Sequence, residues 1–311
     1  MTQSQQTFRL PATADRPSLF IRRQPRPGAP AVLYVHGATF PSALCASFDF
    51  GDGRGSDTWL DDWAARGFDA WAFDFAGFGC SGRYAEMAEP ADRHGPLGRA
   101  APASRQVLDV LDLIERQAGP GRVSLVAHSW GSMPAGLAAY ARPDRIDRLV
   151  LFGPIAPRAM TGIEIPNVAW LDVTNEAQHA RFIEDVPKDH APVLVAFERW
   201  APAYLASDPD AAQRTPPAVR VPAGPAADNR LAWSGRLSWS PGELSRPLAI
   251  VRGEWDGTSS AADAKWLLDA ARHAPERQLA HLPKGTHLMH LETGRRSLYD
   301  WVGRTLKGEA P

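Results

Sequence analysis

Cysteine is scarce in this chain of 311 residues, where only Cys45 and Cys80 occur. Two thiols are too few to build a disulfide framework, which favours a reducing compartment. The first residues also lack the basic segment and apolar run of a secretion signal, and no stretch approaches the roughly 18 apolar residues that cross a bilayer. We therefore expect a cytoplasmic protein that has no membrane partner.

An excess of charge of either sign is lacking as well. Lys and Arg together number 34 and Asp and Glu 35, which gives a formal net charge of -1. Nucleic acids and other polyanions are bound through an excess of positive charge, so this balance favours a neutral small molecule as the partner and no nucleic acid. The chain also has no repeat of about 20 to 50 residues, which excludes repeat architectures. The sequence leaves the oligomeric state open.

Patterns that bind metals or cofactors are missing too. The nine histidines show neither a His-Glu-x-x-His pattern nor Cys and His pairs at ligand spacing. The acidic stretch 49–57 does not match a calcium-binding loop, and the glycine-rich stretch 77–82 is not followed by the helix and acidic residue of a dinucleotide site. We therefore predict a protein that uses neither a metal nor a cofactor.

What the chain does contain is an alternation of short apolar runs and helical patterns. The runs are nearly continuous in apolar residues, as in strands buried in a parallel sheet, and they cover 31–37, 69–77, 122–129, 148–154, 247–257 and 277–285. Helical patterns lie at 56–67, 104–119, 132–141 and 260–273. This alternation predicts an α/β fold with a mostly parallel, doubly wound sheet, to which 7–10 and 18–23 would add an antiparallel edge.

The alternation breaks between residues 156 and 246, a proline-rich segment with four tryptophans and no clear strand. We interpret it as a mainly helical cap inserted into a core formed by 1–155 and 247–311. Ligands of open α/β sheets bind at the carboxyl ends of the strands, which such a cap would cover. Candidate pocket residues are Thr39, Phe40, Trp170, Trp200 and Trp233. The alternative for the tryptophans is that they form only the core of the cap.

Ser129 is the candidate nucleophile. It lies in Ala-His-Ser-Trp-Gly, directly after a predicted strand and before a predicted helix. A strand that turns sharply into a helix needs small residues two positions before and after the serine, and Ala127 and Gly131 meet this requirement. The alternative is that Ser129 is an ordinary helix N-cap.

Asp256 and His287 complete a candidate catalytic triad. A serine hydroxyl needs a base to take its proton and a third group to orient that base, and with such a serine turn the acid and then the histidine follow along the chain. Asp256 and His287 each follow a predicted strand, at the end of the sheet where Ser129 lies. The alternatives are Glu254 for the acid and His281 or His290 for the base.

An acyl-transfer site also needs backbone N–H groups that bind the negatively charged oxygen of the intermediate. The N–H of Trp130, directly after the serine, is one candidate. The other comes from the loop after the first parallel strand, where we favour Ala38 and hold Thr39 in reserve. His36, at the end of that strand, is expected to be a structural hydrogen-bonding residue.

These motifs together resemble the α/β-hydrolase superfamily. The matching pieces are His-Gly-Ala at 36–38, Asp-Phe-Ala-Gly-Phe-Gly-Cys-Ser-Gly at 74–82, Ala-His-Ser-Trp-Gly at 127–131, Gly-Glu-Trp-Asp at 253–256 and Gly-Thr-His at 285–287. The resemblance covers about 20 to 310 apart from the cap, and it implies the α/β-hydrolase fold with Ser129, Asp256 and His287 as the triad. Departures are Ala127 in place of the usual glycine and a long polar loop at 39–56.

The serine also separates subfamilies. Haloalkane dehalogenases and epoxide hydrolases of this fold use aspartate at the turn, and proline iminopeptidases have a His-Gly-Gly-Pro-Gly loop that is absent here. We therefore expect a serine hydrolase that cleaves a small or medium carboxylic ester, thioester or lactone. A C–C bond hydrolase, an acyltransferase or an aminopeptidase would use the same triad, and a non-catalytic binding protein of this fold is the alternative from another class. His128 has no role in this interpretation.

Overall fold

A central sheet of eight strands organises the protein, whose computed structural model describes residues 4–51, 57–190, 194 and 196–309. The strands are β1 Gln6–Leu10, β2 Leu19–Gln24, β3 Ala31–Val35, β4 Asp69–Asp74, β5 Val123–His128, β6 Ile146–Phe152, β9 Leu248–Gly253 and β10 Arg277–Leu282, in the order β1-β2-β4-β3-β5-β6-β9-β10. Strands β3 to β6, β9 and β10 are parallel, whereas β1 and β2 pair antiparallel at one edge. The predicted α/β class with a mostly parallel sheet is confirmed.

In the part of the chain that the structure describes, five helices flank this sheet, which explains why its inner strands are so apolar. They are α1 Trp59–Arg66, α2 Ala100–Ala118, α3 Ser132–Ala141, α7 Ala261–Ala270 and α8 Arg295–Leu306. All residues of β4 and β5 are buried. Strands covered by helices on both faces have no polar face to show, so their sequences are continuous apolar runs.

Helix α2 begins a turn earlier than its sequence pattern predicts. The pattern places the start at Ser104, but the structure starts the helix at Ala100. The reason is tertiary: a carboxylate oxygen of Asp228, from the inserted segment, accepts a hydrogen bond of 2.7 Å from the Ala100 N–H. A helix end needs acceptors for its first N–H groups, and here the acceptor lies 128 positions away along the chain.

The segment between β6 and β9 contains both helices and strands. Its elements are β7 Trp170–Thr174, α4 Asn175–Ile183, α5 Phe197–Ala206, β8 Ala218–Pro222 and α6 Gly224–Trp233. The expectation of no strand here is wrong, because β7 and β8 form a separate antiparallel pair in which Asp172 faces Arg220. A pair whose partners are far apart along the chain leaves no hairpin signal between them. The predicted limits of the cap, 156 and 246, stay a prediction.

Within the described ranges, no helix has both the length and the apolar character that crossing a membrane requires.

Candidate active site

Ser129 lies on a sharp turn between β5 and α3. Its φ is 55°, a left-handed conformation that costs a residue with a side chain about 1–3 kcal/mol. The turn continues through Gly131, where an added Cβ would lie 2.5 Å from the carbonyl oxygen of His36. Gly131 is therefore small because β3 passes directly beside it, which is the packing reason for the motif.

The serine hydroxyl has a base and an acid in line with it. Ser129 Oγ lies 2.8 Å from His287 Nε2, and His287 Nδ1 lies 3.0 Å from both carboxylate oxygens of Asp256. All three residues are buried. They follow β5, β9 and β10, so the carboxyl end of the sheet brings them together. Nε2 can accept the serine proton while the Nδ1–H donates to the carboxylate.

The loop that carries Asp256 is fixed by two neighbours. The Ser259 N–H donates to Asp256 Oδ1 at 2.7 Å, and Arg252 donates to the backbone carbonyls of Asp256 at 2.8 Å and of Ser259 at 2.6 Å. Glu254, the alternative acid, instead accepts a hydrogen bond of 3.1 Å from the Lys284 N–H. The structure thus brings Asp256 to the histidine and holds Glu254 elsewhere.

The alternative histidines occupy other places. His281 lies in β10, where its Nδ1 is 3.2 Å from a guanidinium nitrogen of Arg252. His290 is fully buried between aromatic rings, and burial lowers its pKa to about 3. Of the three candidates, His287 is the one within hydrogen-bond distance of Ser129.

Gly153, at the end of β6, is a site residue that sequence reasoning missed. Its φ is 54°, and a Cβ added to it would lie 2.9 Å from Asp256 Oδ2 and 3.0 Å from His287 Nδ1. Strand β6 lies between β5 and β9, so the acid reaches the histidine across the end of β6. The only sequence signal is the glycine directly after the apolar run 148–152.

His128 was also left without a role, and the structure gives it one. Its Nε2 lies 2.9 Å from the backbone carbonyl oxygen of His287, to which the ring N–H donates. Its ring stacks on Phe152 with a centroid distance of 4.7 Å. Burial is the main cause that lowers its pKa well below the ordinary value, so the ring is neutral. His128 therefore ties the nucleophile strand to the histidine loop.

The candidate N–H groups for the oxyanion lie on both sides of the serine. Trp130 follows it in the turn, and Ala38 follows Gly37, whose added Cβ would lie 3.2 Å from the Ser129 Cβ. Among the described residues, neither the Ala38 N–H nor the Trp130 N–H donates a hydrogen bond within the protein. His36 accepts a hydrogen bond of 3.0 Å from the Phe75 N–H, as a structural residue does.

A second buried carboxyl group, that of Glu292, holds the loop that carries His287. Glu292 accepts hydrogen bonds from the N–H and the hydroxyl of Thr286, the residue before His287. Burial raises the pKa of Glu292 to about 7. The backbone of Glu292 also forms an isolated antiparallel bridge with Leu194 of the inserted segment. The loop of His287 is therefore held both by the titratable side chain of Glu292 and by the inserted segment.

The predicted pocket residues are divided between two places. Phe40 packs edge to face on Trp200 with a centroid distance of 5.3 Å, and Trp200 stacks on Tyr204 at 5.0 Å, which forms an aromatic wall. Thr39 lies on the loop beside Ser129 and accepts a hydrogen bond from the cap. Trp170 instead donates its indole N–H to the Glu89 carbonyl. The guanidinium groups of Arg158 and Arg230 both lie over the ring of Trp233, at 5.4 and 5.5 Å from its centroid.

The comparisons with known proteins fit this architecture. Residues 30–293 match a family model described as the alpha/beta hydrolase fold. A search of curated proteins finds no match.

Solved structures that resemble the chain include 2-hydroxy-6-oxo-6-phenylhexa-2,4-dienoate hydrolase from Rhodococcus sp. strain RHA1, with a TM-score of 0.63, 17% identity and 98% of each chain covered. A serine hydrolase from the polyaromatic-hydrocarbon-degrading bacterium Cycloclasticus zankles has a TM-score of 0.61 and 18% identity, covering 98% of this chain and 99% of that one. The thioesterase domain from the curacin biosynthetic pathway has a TM-score of 0.61 and 15% identity, covering 96% and 99%. Likeness at these identities shows the fold alone.

Proposed function

The chain belongs to the alpha/beta hydrolase fold family, and we propose that it is a serine hydrolase that cleaves a small or medium carboxylic ester, thioester or lactone without a cofactor. The observation that carries the proposal is the line of hydrogen bonds from Ser129 Oγ through His287 to Asp256, at 2.8 Å and 3.0 Å. Nucleophile, base and orienting acid at these distances are what acyl transfer through a serine requires.

In this mechanism Ser129 Oγ attacks the carbonyl carbon while His287 Nε2 takes the hydroxyl proton. The Asp256 carboxylate holds the ring in the required tautomer and stabilises the imidazolium that forms. The N–H groups of Ala38 and Trp130 bind the negatively charged oxygen of the tetrahedral intermediate. His287 then gives its proton to the leaving alcohol, thiol or hydroxyl, which leaves an acyl group on Ser129.

Water then hydrolyses the acyl-enzyme, with water as the nucleophile and Ser129 as the leaving group. His287 takes a proton from the water, whose oxygen attacks the acyl carbon, and returns the proton to Ser129 Oγ as the acid departs.

The test of the function is the loss of reactivity in Ser129→Ala. We expect the wild-type protein to hydrolyse p-nitrophenyl esters and to be labelled by a fluorophosphonate, and Ser129→Ala to lose both. Ser104→Ala is the matched control, because Ser104 lies on α2, where its hydroxyl bonds only to the Ala101 carbonyl among the described residues. Labelling that persists in Ser129→Ala would show that another residue is the nucleophile.

The bond that is cleaved is decided by a substrate screen. Activity across acyl chain lengths, amides and lactones separates an esterase from an aminopeptidase, and the proposal predicts that esters, thioesters or lactones are cleaved in preference to amides.

We further propose that the protein is cytoplasmic and acts on a small molecule with no nucleic acid or membrane partner. The two thiols support a reducing compartment, since Cys45 and Cys80 are both free.

A further inference from the structure

Helix α4 of the cap places an arginine beside the oxyanion loop. The Arg181 guanidinium donates a hydrogen bond of 3.0 Å from Nη1 to Thr39 Oγ1. Thr39 directly follows Ala38, whose N–H is a proposed donor to the carbonyl oxygen. Burial is the main cause of the lowered pKa of His128, and the charge of Arg181 contributes to it, so Arg181 also lies near the strand that carries Ser129.

The positive charge of Arg181 has no carboxylate partner in the part of the chain that the structure describes. No Asp or Glu oxygen lies within 4.0 Å of its guanidinium there, whereas the buried Arg22 and Arg23 pair with Asp74 and Asp69 at 3.0 and 2.9 Å. Arg181 is partly buried, and burial is the main cause that lowers the pKa of its guanidinium, while the charge of Glu184 acts in the opposite direction without direct contact. A partly buried cation that no carboxylate contacts directly is a suitable partner for a ligand that supplies a negative charge.

Two further polar groups beside Arg181 also lack partners. Gln178, one turn earlier on the same helix, is fully buried, and neither its amide oxygen nor its amide nitrogen is hydrogen-bonded within the described residues. The Tyr204 hydroxyl lies next to this amide without an aligned hydrogen bond, and near enough to Arg181 for that charge to affect the pKa of the phenol. Gln178 and Tyr204 are both fully buried and lie against each other, so the polar group that is left to meet a ligand is the partly buried guanidinium of Arg181.

We propose that Arg181 binds a carboxylate on the acyl part of the substrate while Ser129 attacks the ester carbonyl, so that the preferred substrates are monoesters of dicarboxylic acids. This inference rests on the proposed function. One guanidinium balances a single negative charge and offers the paired N–H donors that a carboxylate accepts. The net charge of the chain led us to expect an uncharged substrate. The charge next to the site is that of Arg181, and it favours an anionic substrate instead.

The side of the ester on which the carboxylate lies follows from the surrounding charges. The leaving group must face His287 to receive its proton. The exposed Glu184, three residues after Arg181, carries a charge that acts on both Arg181 and His287, so an anionic leaving group at His287 would meet this carboxylate. The Arg181 guanidinium bonds to Thr39, next to the Ala38 N–H that is proposed to bind the carbonyl oxygen, so we place the carboxylate on the acyl chain.

The test compares esters that differ only in this charge. The substrates are the monomethyl and dimethyl esters of succinic, glutaric and adipic acid, with kcat/KM corrected for the two equivalent ester groups of each diester. We expect the wild-type protein to prefer the monoester by at least about 10-fold for one chain length, since hydrogen bonds to a charged group are worth about that factor. Arg181→Met should bring this ratio close to one, and Arg181→Lys should keep part of it.

The control is Arg230→Met, which removes an exposed cap arginine from α6 and should leave the ratio as in the wild type. Thermal unfolding checks that each variant is folded. The inference is overturned if the wild-type protein shows no preference for any monoester, or if both Arg181 variants retain the wild-type ratio. In those cases labelling of Ser129 and hydrolysis of neutral esters still support the proposed function. A wild-type protein that is neither labelled nor hydrolyses any ester overturns both the proposed function and this inference.

Discussion

Gly153 offers the sharpest test of the triad geometry, through the change Gly153→Ala. The added Cβ would lie 2.9 Å from Asp256 Oδ2 and 3.0 Å from His287 Nδ1. Ordinary contacts of a carbon atom with such atoms begin near about 3.5 Å, so the acid and the ring must each move by about 0.5 Å. The methyl group therefore separates the two members of the triad at their shared hydrogen bond.

The expected result is a loss of turnover that exceeds the loss of stability. The acid and the ring together move apart by about 1 Å, and a misplacement of that size in reacting groups costs about 10²-fold in kcat, with a smaller effect on KM because the acyl pocket is unchanged. Alanine at the φ of 54° also lowers the free energy of unfolding by about 1–2 kcal/mol. The measurements are steady-state kinetics on a p-nitrophenyl ester and urea unfolding at the same pH.

Gly67→Ala is the matched control. Gly67 ends α1 with a φ of 104°, and no atom lies within 4 Å of its added Cβ. This variant should lose a similar amount of stability and keep the wild-type kcat. If Gly153→Ala keeps the wild-type kcat as well, the close approach of Asp256 and His287 over β6 is not needed for turnover, and the geometric reasoning is refuted.

Variants at three other residues test neighbouring contacts. The raised pKa of Glu292, about 7 against an ordinary 4.5, means that the fold favours its protonated form, so this stabilisation is complete below pH 4.5 and is lost as the pH rises through 7. Urea unfolding at pH 5 and 8 should therefore show a larger loss in the wild type than in Glu292→Gln, by up to about 3 kcal/mol, and equal losses would contradict the assignment. His128→Phe removes the hydrogen bond to the His287 carbonyl and should cost about 1 kcal/mol of transition-state stabilisation, which is seen as a lower kcat. His128→Gln should recover part of this kcat. Equal kcat values in the two variants would show that the hydrogen bond is unimportant. Gly131→Ala forces a methyl group against the His36 carbonyl and should lower the free energy of unfolding by about 2 kcal/mol, and an unchanged urea midpoint would exclude that contact.

The sheet could be predicted from the sequence because its signals are local. A strand such as Asp69–Asp74 is buried along its whole length, and this burial is written as an apolar run. The start of α2 could not be predicted, since the acceptor that extends it belongs to Asp228, far along the chain. The pairing of β7 with β8 was missed for the same reason, since α4 and α5 separate the two strands along the chain.

The residues of the site also fall into two groups, those that local motifs predict and those that they do not. Ser129, Asp256 and His287 were predicted because each follows a strand in a recognisable motif, and the structure brings the three side chains into hydrogen-bond distance. Gly153 and His128 were missed because their importance depends on neighbours from other strands. A glycine that makes room for another residue's side chain, or a ring that donates to another loop, has no local pattern.

The bridge between Leu194 and Glu292 has a practical consequence for protein engineering. Exchanging the segment between β6 and β9 for that of a relative would test whether this segment selects the substrate. In this chain such a graft would also remove a backbone contact of the loop that presents His287. A chimera should therefore retain Leu194 and its pairing with Glu292, so that the exchange leaves the position of His287 unchanged.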